Sequence, residues 1–206
     1  WMSFGYEVLV TPLQTLMLYN AVANDGKMMR PYLVNEVRKN DLAIRTIQPE
    51  VIEESIASAQ TLQLLQECLE GVCQGEDGTA YSLFKTAPYK AAGKTGTALM
   101  ANGNRGYADH IYQSSFAGYF PAKDPKYSCI VVVRNKPFAK KYYGAAIAGP
   151  VFREVADKLF AGQLIDNEQP FETVRRNDSS AYMYAGATSD LKRVLGLLDW
   201  KYTDSS

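Results

Sequence analysis

With 206 residues, 47% hydrophobic and 21% charged, the chain holds enough apolar material for one soluble domain with a real core, and its composition excludes a disordered protein. Lysine and arginine together number 22, as do aspartate and glutamate, so the formal net charge is zero and no nucleic-acid or anionic-membrane partner is indicated. Cys68, Cys73 and Cys129 fit neither an even disulfide framework nor a metal-ligand spacing, and the single histidine, His110, cannot build a metal cluster alone. No metal and no cofactor is therefore expected, and the cysteines read as small buried apolar residues.

The chain begins at Trp1 with no signal-peptide pattern and no apolar run long enough to span a bilayer, so we expect a piece of a longer protein. Thr11-Pro12-Leu13-Gln14 predicts a helix start: Thr11 caps, Pro12 takes the first helical position and Gln14 completes a capping box. Leu13, Leu16, Met17, Asn20 and Ala21 form its inward face, and Asn24-Asp25-Gly26 closes it. Tyr32-Leu33-Val34 with Val37 reads as a short extended segment after Pro31, and Asn40-Asp41 as a turn.

Ser58 caps a second predicted helix whose apolar stripe is Leu62, Leu65, Leu69 and Val72, ending near Gly75. The run from Gly75 to Ala80 lacks periodicity and reads as an exposed loop or a helix start at Thr79. Next comes Ala91-Ala92-Gly93-Lys94-Thr95-Gly96-Thr97-Ala98, a predicted strand with glycines flanking a lysine, which would leave room for a ligand backbone. Gly93-Lys94-Thr95 matches the tail of a phosphate loop, but Pro88 stands where that motif needs its first glycine, so a nucleotide site is excluded.

Asn102 to Gly106 is turn chemistry, Ser114 to Phe120 alternates as a strand, and Pro121 to Pro125 is a second turn. Cys129-Ile130-Val131-Val132-Val133 predicts a strand buried on both faces. Local turns between these strands imply an antiparallel meander with the Lys94 strand at one side. Lys136, Lys140 and Lys141 read as a solvated loop. From Gly144 to Ala161 the spacing predicts a helix over the sheet, with Ile147, Val151, Phe152, Val155 and Leu159 inward and Arg153, Glu154, Asp157 and Lys158 outward. Pro150 is tolerable there only near the first turn. We read residues 163–187 as a surface linker, and 188–206 as a short helix capped at Thr188 or Ser189 with a strand start, the beginning of a small appended unit.

Several ordered segments resemble the transpeptidase domain of class B penicillin-binding proteins, especially the division-type enzymes. They are Ser3-Phe4-Gly5-Tyr6, Val10-Thr11-Pro12-Leu13-Gln14, Ala23-Asn24-Asp25-Gly26, Gly93-Lys94-Thr95-Gly96-Thr97-Ala98, Ser115 to Ala122, and Tyr142-Tyr143-Gly144-Ala145 through Gly149-Pro150-Val151-Phe152. The resemblance implies an α+β fold in which residues 1–162 form the carboxy-terminal part of the domain, supplying three of its five antiparallel strands flanked by helices. It also implies a chemistry: a serine is acylated by the penultimate D-alanine carbonyl of a cell-wall stem peptide, another stem's amine resolves the ester, and β-lactams trap the same serine.

By that resemblance Lys94 and Thr97 are catalytic positions, and Thr95, Gly96, Thr97, Tyr143 and Gly144 bind substrate. The Thr97 N–H would be an oxyanion donor, the Thr95 and Thr97 hydroxyls would hold a terminal carboxylate, and Lys94 would add positive potential. Implied partners are stem peptides, β-lactams, the upstream half of the same domain and division proteins. The implied place is the periplasmic or extracytoplasmic face of the cell membrane, reached only through an upstream anchor.

The pattern departs from the family at the nucleophile. S-x-N is absent from the chain, and the two S-x-x-K matches, Ser82 to Lys85 and Ser189 to Lys192, sit just before the Lys94 strand and after the closing helix. We read Ser82 as loop or helix surface and Ser189 as a helix cap, so these residues alone should lack activity. A β-lactam sensor or β-lactamase of the same fold, and a non-catalytic scaffold, are the alternatives.

Overall fold

The structure is a computed structural model that describes residues 9–39 and 42–166, with side chains described as far as 162. Helix α1 (Pro12–Ala23) starts where the local chemistry dictates: the Thr11 hydroxyl accepts from the Gln14 N–H at 3.2 Å, and Gln14 Oε1 accepts from the Thr11 N–H at 2.8 Å. Its C-terminal end buries Ala21 and Val22, whereas Leu13, expected inside, is half exposed. Strands β1 (Met28–Met29) and β4 (Val51–Glu53) pair antiparallel, as do β2 (Glu36–Lys39) and β3 (Leu42–Thr46). Tyr32 to Val34 precede β2 and are not strand, and Leu33 lies fully in solvent. The predicted turn at Asn40-Asp41 lies outside the described residues.

Helix α2 (Ala59–Gln74) is capped by the Ser58 hydroxyl, which accepts from the Thr61 N–H at 3.2 Å. Only Leu62 and Cys73 are fully buried in it; Leu65 of the expected stripe is exposed. The next loop folds back, Ala80 N–H donating to the Val72 carbonyl at 3.0 Å, and leads into the single turn α3 (Tyr81–Phe84).

The main sheet has order β5-β6-β7, from β5 (Ala92–Met100), β6 (Ile111–Phe120) and β7 (Tyr127–Arg134), all antiparallel. In register, Lys94 faces Ala117, Thr95 faces Phe116, Gly96 faces Ser115 and Thr97 faces Ser114. Strand β7 is not buried on both faces: no residue of it is fully buried, and Val132 is exposed. It is an outer strand of the described sheet, and Tyr127, Cys129 and Val131 are its side chains that pack against the core.

Helix α4 (Gly144–Asp166) covers the face of the sheet that carries Phe116. Its buried side chains are Ala148, Phe152 and Ala156; Phe152 was expected inward, whereas Val151, Val155 and Leu159, expected with it, are exposed. The true inward face is thus turned by one residue, roughly 100°, from the face that hydropathy selects. The small residues let the helix come close, and Phe152 then fills the gap, 4.6 Å from the Phe116 ring and 5.6 Å from that of Phe120. Arg153, expected outward, donates to the Leu83 carbonyl and to Asp157, which in turn accepts from Tyr89 Oη at 2.7 Å. Pro150 lies in the second turn rather than the first. The helix runs to Asp166, past its expected end at Ala161 and into the stretch read as a linker; the readings for residues 167–206, and the Ser3-Phe4-Gly5-Tyr6 segment, fall outside the described residues. No described helix is long and apolar enough to cross a membrane.

Candidate active-site wall

Strand β5 is the other outer strand of the described sheet, so one of its edges is unpaired there. Alternation sends Lys94 and Gly96 to one face and Thr95 and Thr97 to the other, the face shared with Phe116 and α4. Lys94 is exposed; its ammonium folds along the strand and donates to the Thr95 carbonyl at 3.0 Å and to Thr95 Oγ1 at 3.4 Å. Thr95 Oγ1 also lies 3.1 Å from Thr79 Oγ1.

The glycines beside Lys94 are also required by the chain's own packing. A Cβ at Gly93 would sit 2.7 Å from the Ala117 carbonyl oxygen, and one at Gly96 would collide with the Ser115 side chain. They let β6 close onto β5, and Gly144 does the same for the start of α4.

That closure brings together residues distant in sequence. The Gly144 N–H donates to Thr97 Oγ1 at 3.0 Å, so a strand hydroxyl satisfies one of the donors that a helix start leaves unpaired. Gly144 is buried, and a Cβ there would lie 2.5 Å from the carbonyl oxygens of both Gly96 and Ser115. Tyr143 stands beside this junction but points outward, 63% exposed, its ring 4.7 Å from that of Tyr142. Tyr142 stacks at 4.0 Å on Tyr112, the residue next to Gln113 on β6, giving an aromatic step beyond Thr97.

Two contributors were not singled out from sequence. Ser114 is wholly buried; its hydroxyl donates to the Tyr142 carbonyl at 2.5 Å and accepts from Asn135 Nδ2 at 2.6 Å, pinning the segment that leads to Gly144. Thr79 sits in the loop after α2, where Glu76, Asp77, Gly78, Thr79 and Lys94 line an open groove of about 430 Å³. Sequence periodicity is blind to both, because each acts through one hydroxyl aimed at a distant segment. Ser82 and Lys85 are exposed on and beside α3, as surface residues. Cys73 is buried, but Cys68 is exposed, against its reading as a core residue. Among the described residues no group of three or more His, Cys, Asp or Glu stands together to hold a metal.

The family model for the penicillin-binding protein transpeptidase domain matches residues 1–157. This chain belongs to that family. Its relatives are class B members. It is 31% identical over 161 residues to the peptidoglycan D,D-transpeptidase FtsI of Buchnera aphidicola subsp. Baizongia pistaciae, covering 77% of this chain and 26% of the relative. With FtsI of Escherichia coli K12 the identity is 33% over 150 residues, 73% of this chain and 23% of the relative. Among solved structures, penicillin-binding protein 3 of Mycobacterium tuberculosis, complexed with aztreonam, matches with TM-score 0.60 and 30% identity over 76% of this chain and 36% of that one. The chain thus spans about a quarter of the length of these curated relatives. The α+β arrangement, an antiparallel sheet flanked by helices, is the transpeptidase fold of these neighbours.

Proposed function

We propose that residues 1–162 are the carboxy-terminal part of the transpeptidase domain of a division-type peptidoglycan D,D-transpeptidase. The observation that carries this reading is the junction at which Gly144 N–H meets Thr97 Oγ1, on an outer strand displaying Lys94. A stem peptide adds as a further strand along β5, held by main-chain hydrogen bonds. The Thr97 N–H is one of the donors that stabilise the oxyanion. The Thr97 hydroxyl accepts from Gly144 and keeps its proton for the terminal carboxylate, beside Thr95. Gly96 and Gly144 keep the wall close-packed, Tyr143 lines its end, and Lys94 supplies positive potential next to the proton-transfer groups.

The serine comes from chain outside these residues, since the one S-x-x-K match within residues 1–162 begins at Ser82, which lies on the surface. Its oxygen attacks the penultimate D-alanine carbonyl, the terminal D-alanine leaves with a proton, and the amine of a second stem then displaces the serine. The setting is the extracytoplasmic face of the cell membrane, with division proteins as partners.

Labelling with a fluorescent penicillin tests this. The full-length protein carrying this sequence should take one denaturation-resistant label and hold it, whereas residues 1–206 alone should take none. Rapid loss of label with β-lactam turnover would favour a β-lactamase instead, and labelling of residues 1–206 would make Ser82 the nucleophile.

A further inference from the structure

Thr95 Oγ1 has two neighbours able to bond it, Lys94 Nζ at 3.4 Å and Thr79 Oγ1 at 3.1 Å. An ammonium only donates, whereas a hydroxyl has one proton and two acceptor positions. The direction of the Thr79–Thr95 bond therefore decides what Thr95 offers a ligand. If Thr95 donates to Thr79, it has no proton left for a carboxylate, which only accepts. If Thr79 donates, both acceptor positions of Thr95 are filled from within the protein and its proton must point outward.

Thr79 is fixed to play this part. The residue after it, Ala80, is wholly buried and its N–H donates to the Val72 carbonyl at 3.0 Å, which seats the loop on the end of α2. The preceding Gly78 N–H donates to the Gly75 carbonyl at 2.8 Å. Thr79 itself remains exposed at the groove that also holds Lys94.

We propose that Thr79 is a positioning residue for anionic substrates: by donating to Thr95 Oγ1 it turns the Thr95 proton toward the ligand carboxylate. This rests on the reading of Thr95 as a carboxylate-binding residue. It assigns to the loop after α2 a share in recognising the carboxylate end of stem peptides and penicillins, without contact with the ligand.

The test uses benzylpenicillin and the full-length protein, in which the dissociation constant of the non-covalent complex and the acylation step are measured separately. A carboxylate contact present both before and in the transition state alters binding and leaves the acylation step unchanged. Thr79→Val should weaken binding by about tenfold, the scale of one hydrogen bond to a charged group, with acylation at saturation unchanged. Thr79→Ser should return it to within about twofold, because the donor is kept. In a Thr95→Val background, Thr79→Val should cost nothing further, as expected of a residue acting through another. If Thr95→Val weakens binding while Thr79→Val does not, or if Thr79→Val costs the same in both backgrounds, the positioning role is overturned. If Thr95→Val binds benzylpenicillin as the parent does, the carboxylate reading itself fails.

Discussion

The N–H of Gly144, at the start of α4, donates to Thr97 Oγ1 on β5 at 3.0 Å, and this single bond joins the closing helix to the strand that carries Lys94. The approach is so close that a methyl group on Gly144 would meet two backbone carbonyl oxygens at 2.5 Å, neither of which is free to swing away. Gly144→Ala should therefore lower stability by about 3 kcal/mol, the upper range for overpacking against groups that cannot yield. Thr97→Val removes the acceptor of the Gly144 N–H without adding bulk and should cost about 1–2 kcal/mol in stability, as for loss of a helix cap. Urea unfolding midpoints order the two, and Thr97→Ser should match the parent.

Lys94 is exposed and its ammonium reaches no further than Thr95, so it holds no core element in place. Lys94→Ala in the full-length protein should leave the unfolding midpoint unchanged while slowing acylation by penicillin at least about tenfold, the lower range for loss of a group that assists proton transfer. Stopped-flow acylation with a fluorescent penicillin reads this directly. An unchanged rate would remove Lys94 from the mechanism.

The two faces of α4 give opposed expectations for neighbouring positions. Phe152 is wholly buried between the rings of Phe84, Phe116 and Phe120, so Phe152→Ala should cost about 3–5 kcal/mol. Val155 is exposed, and Val155→Ala should cost less than about 1 kcal/mol. Denaturant unfolding of Val155→Ala separates the observed packing from the face that hydropathy selects, since Phe152 lies on both and Phe152→Ala gives the scale of a buried position.

That reversal shows where sequence reading loses its grip. The start of α1 was legible because Thr11, Pro12 and Gln14 act within one turn, and the meander because short turns leave adjacent strands little choice but to pair. The inward face of α4 was not, because closeness to the sheet is decided by the small volumes of Ala148 and Ala156, which a hydropathy count ranks below valine and leucine. At the site, Lys94 through Thr97 stand out as a contiguous motif. Thr79 and Ser114 do not, since nothing local marks a hydroxyl whose partner lies 16 or 28 residues away.

The buried acids under the sheet set an alkaline limit on stability. Burial pushes the Cys73 thiol from its ordinary 9.0 up to about 12, with the Glu70 charge adding and the Gly93 N–H opposing. Burial, then the charges of Glu70 and Cys73, pushes the Tyr119 phenol from 10.0 up to about 12. Both groups keep their protons in the fold at pH values where the unfolded chain has released them. Above pH 9 the unfolded state therefore binds fewer protons than the native one, and stability falls as pH rises. From these two groups the profile should be flat below pH 9 and decline from there toward pH 12. Cys73→Ala removes one of the two titrations, so between pH 10 and 11 its stability should fall less steeply than the parent's, by about 1.4 kcal/mol per pH unit, the value of one proton. Urea midpoints measured from pH 8 to 11 supply both slopes, and parallel profiles for parent and variant would show that Cys73 ionises alike in the folded and unfolded chain.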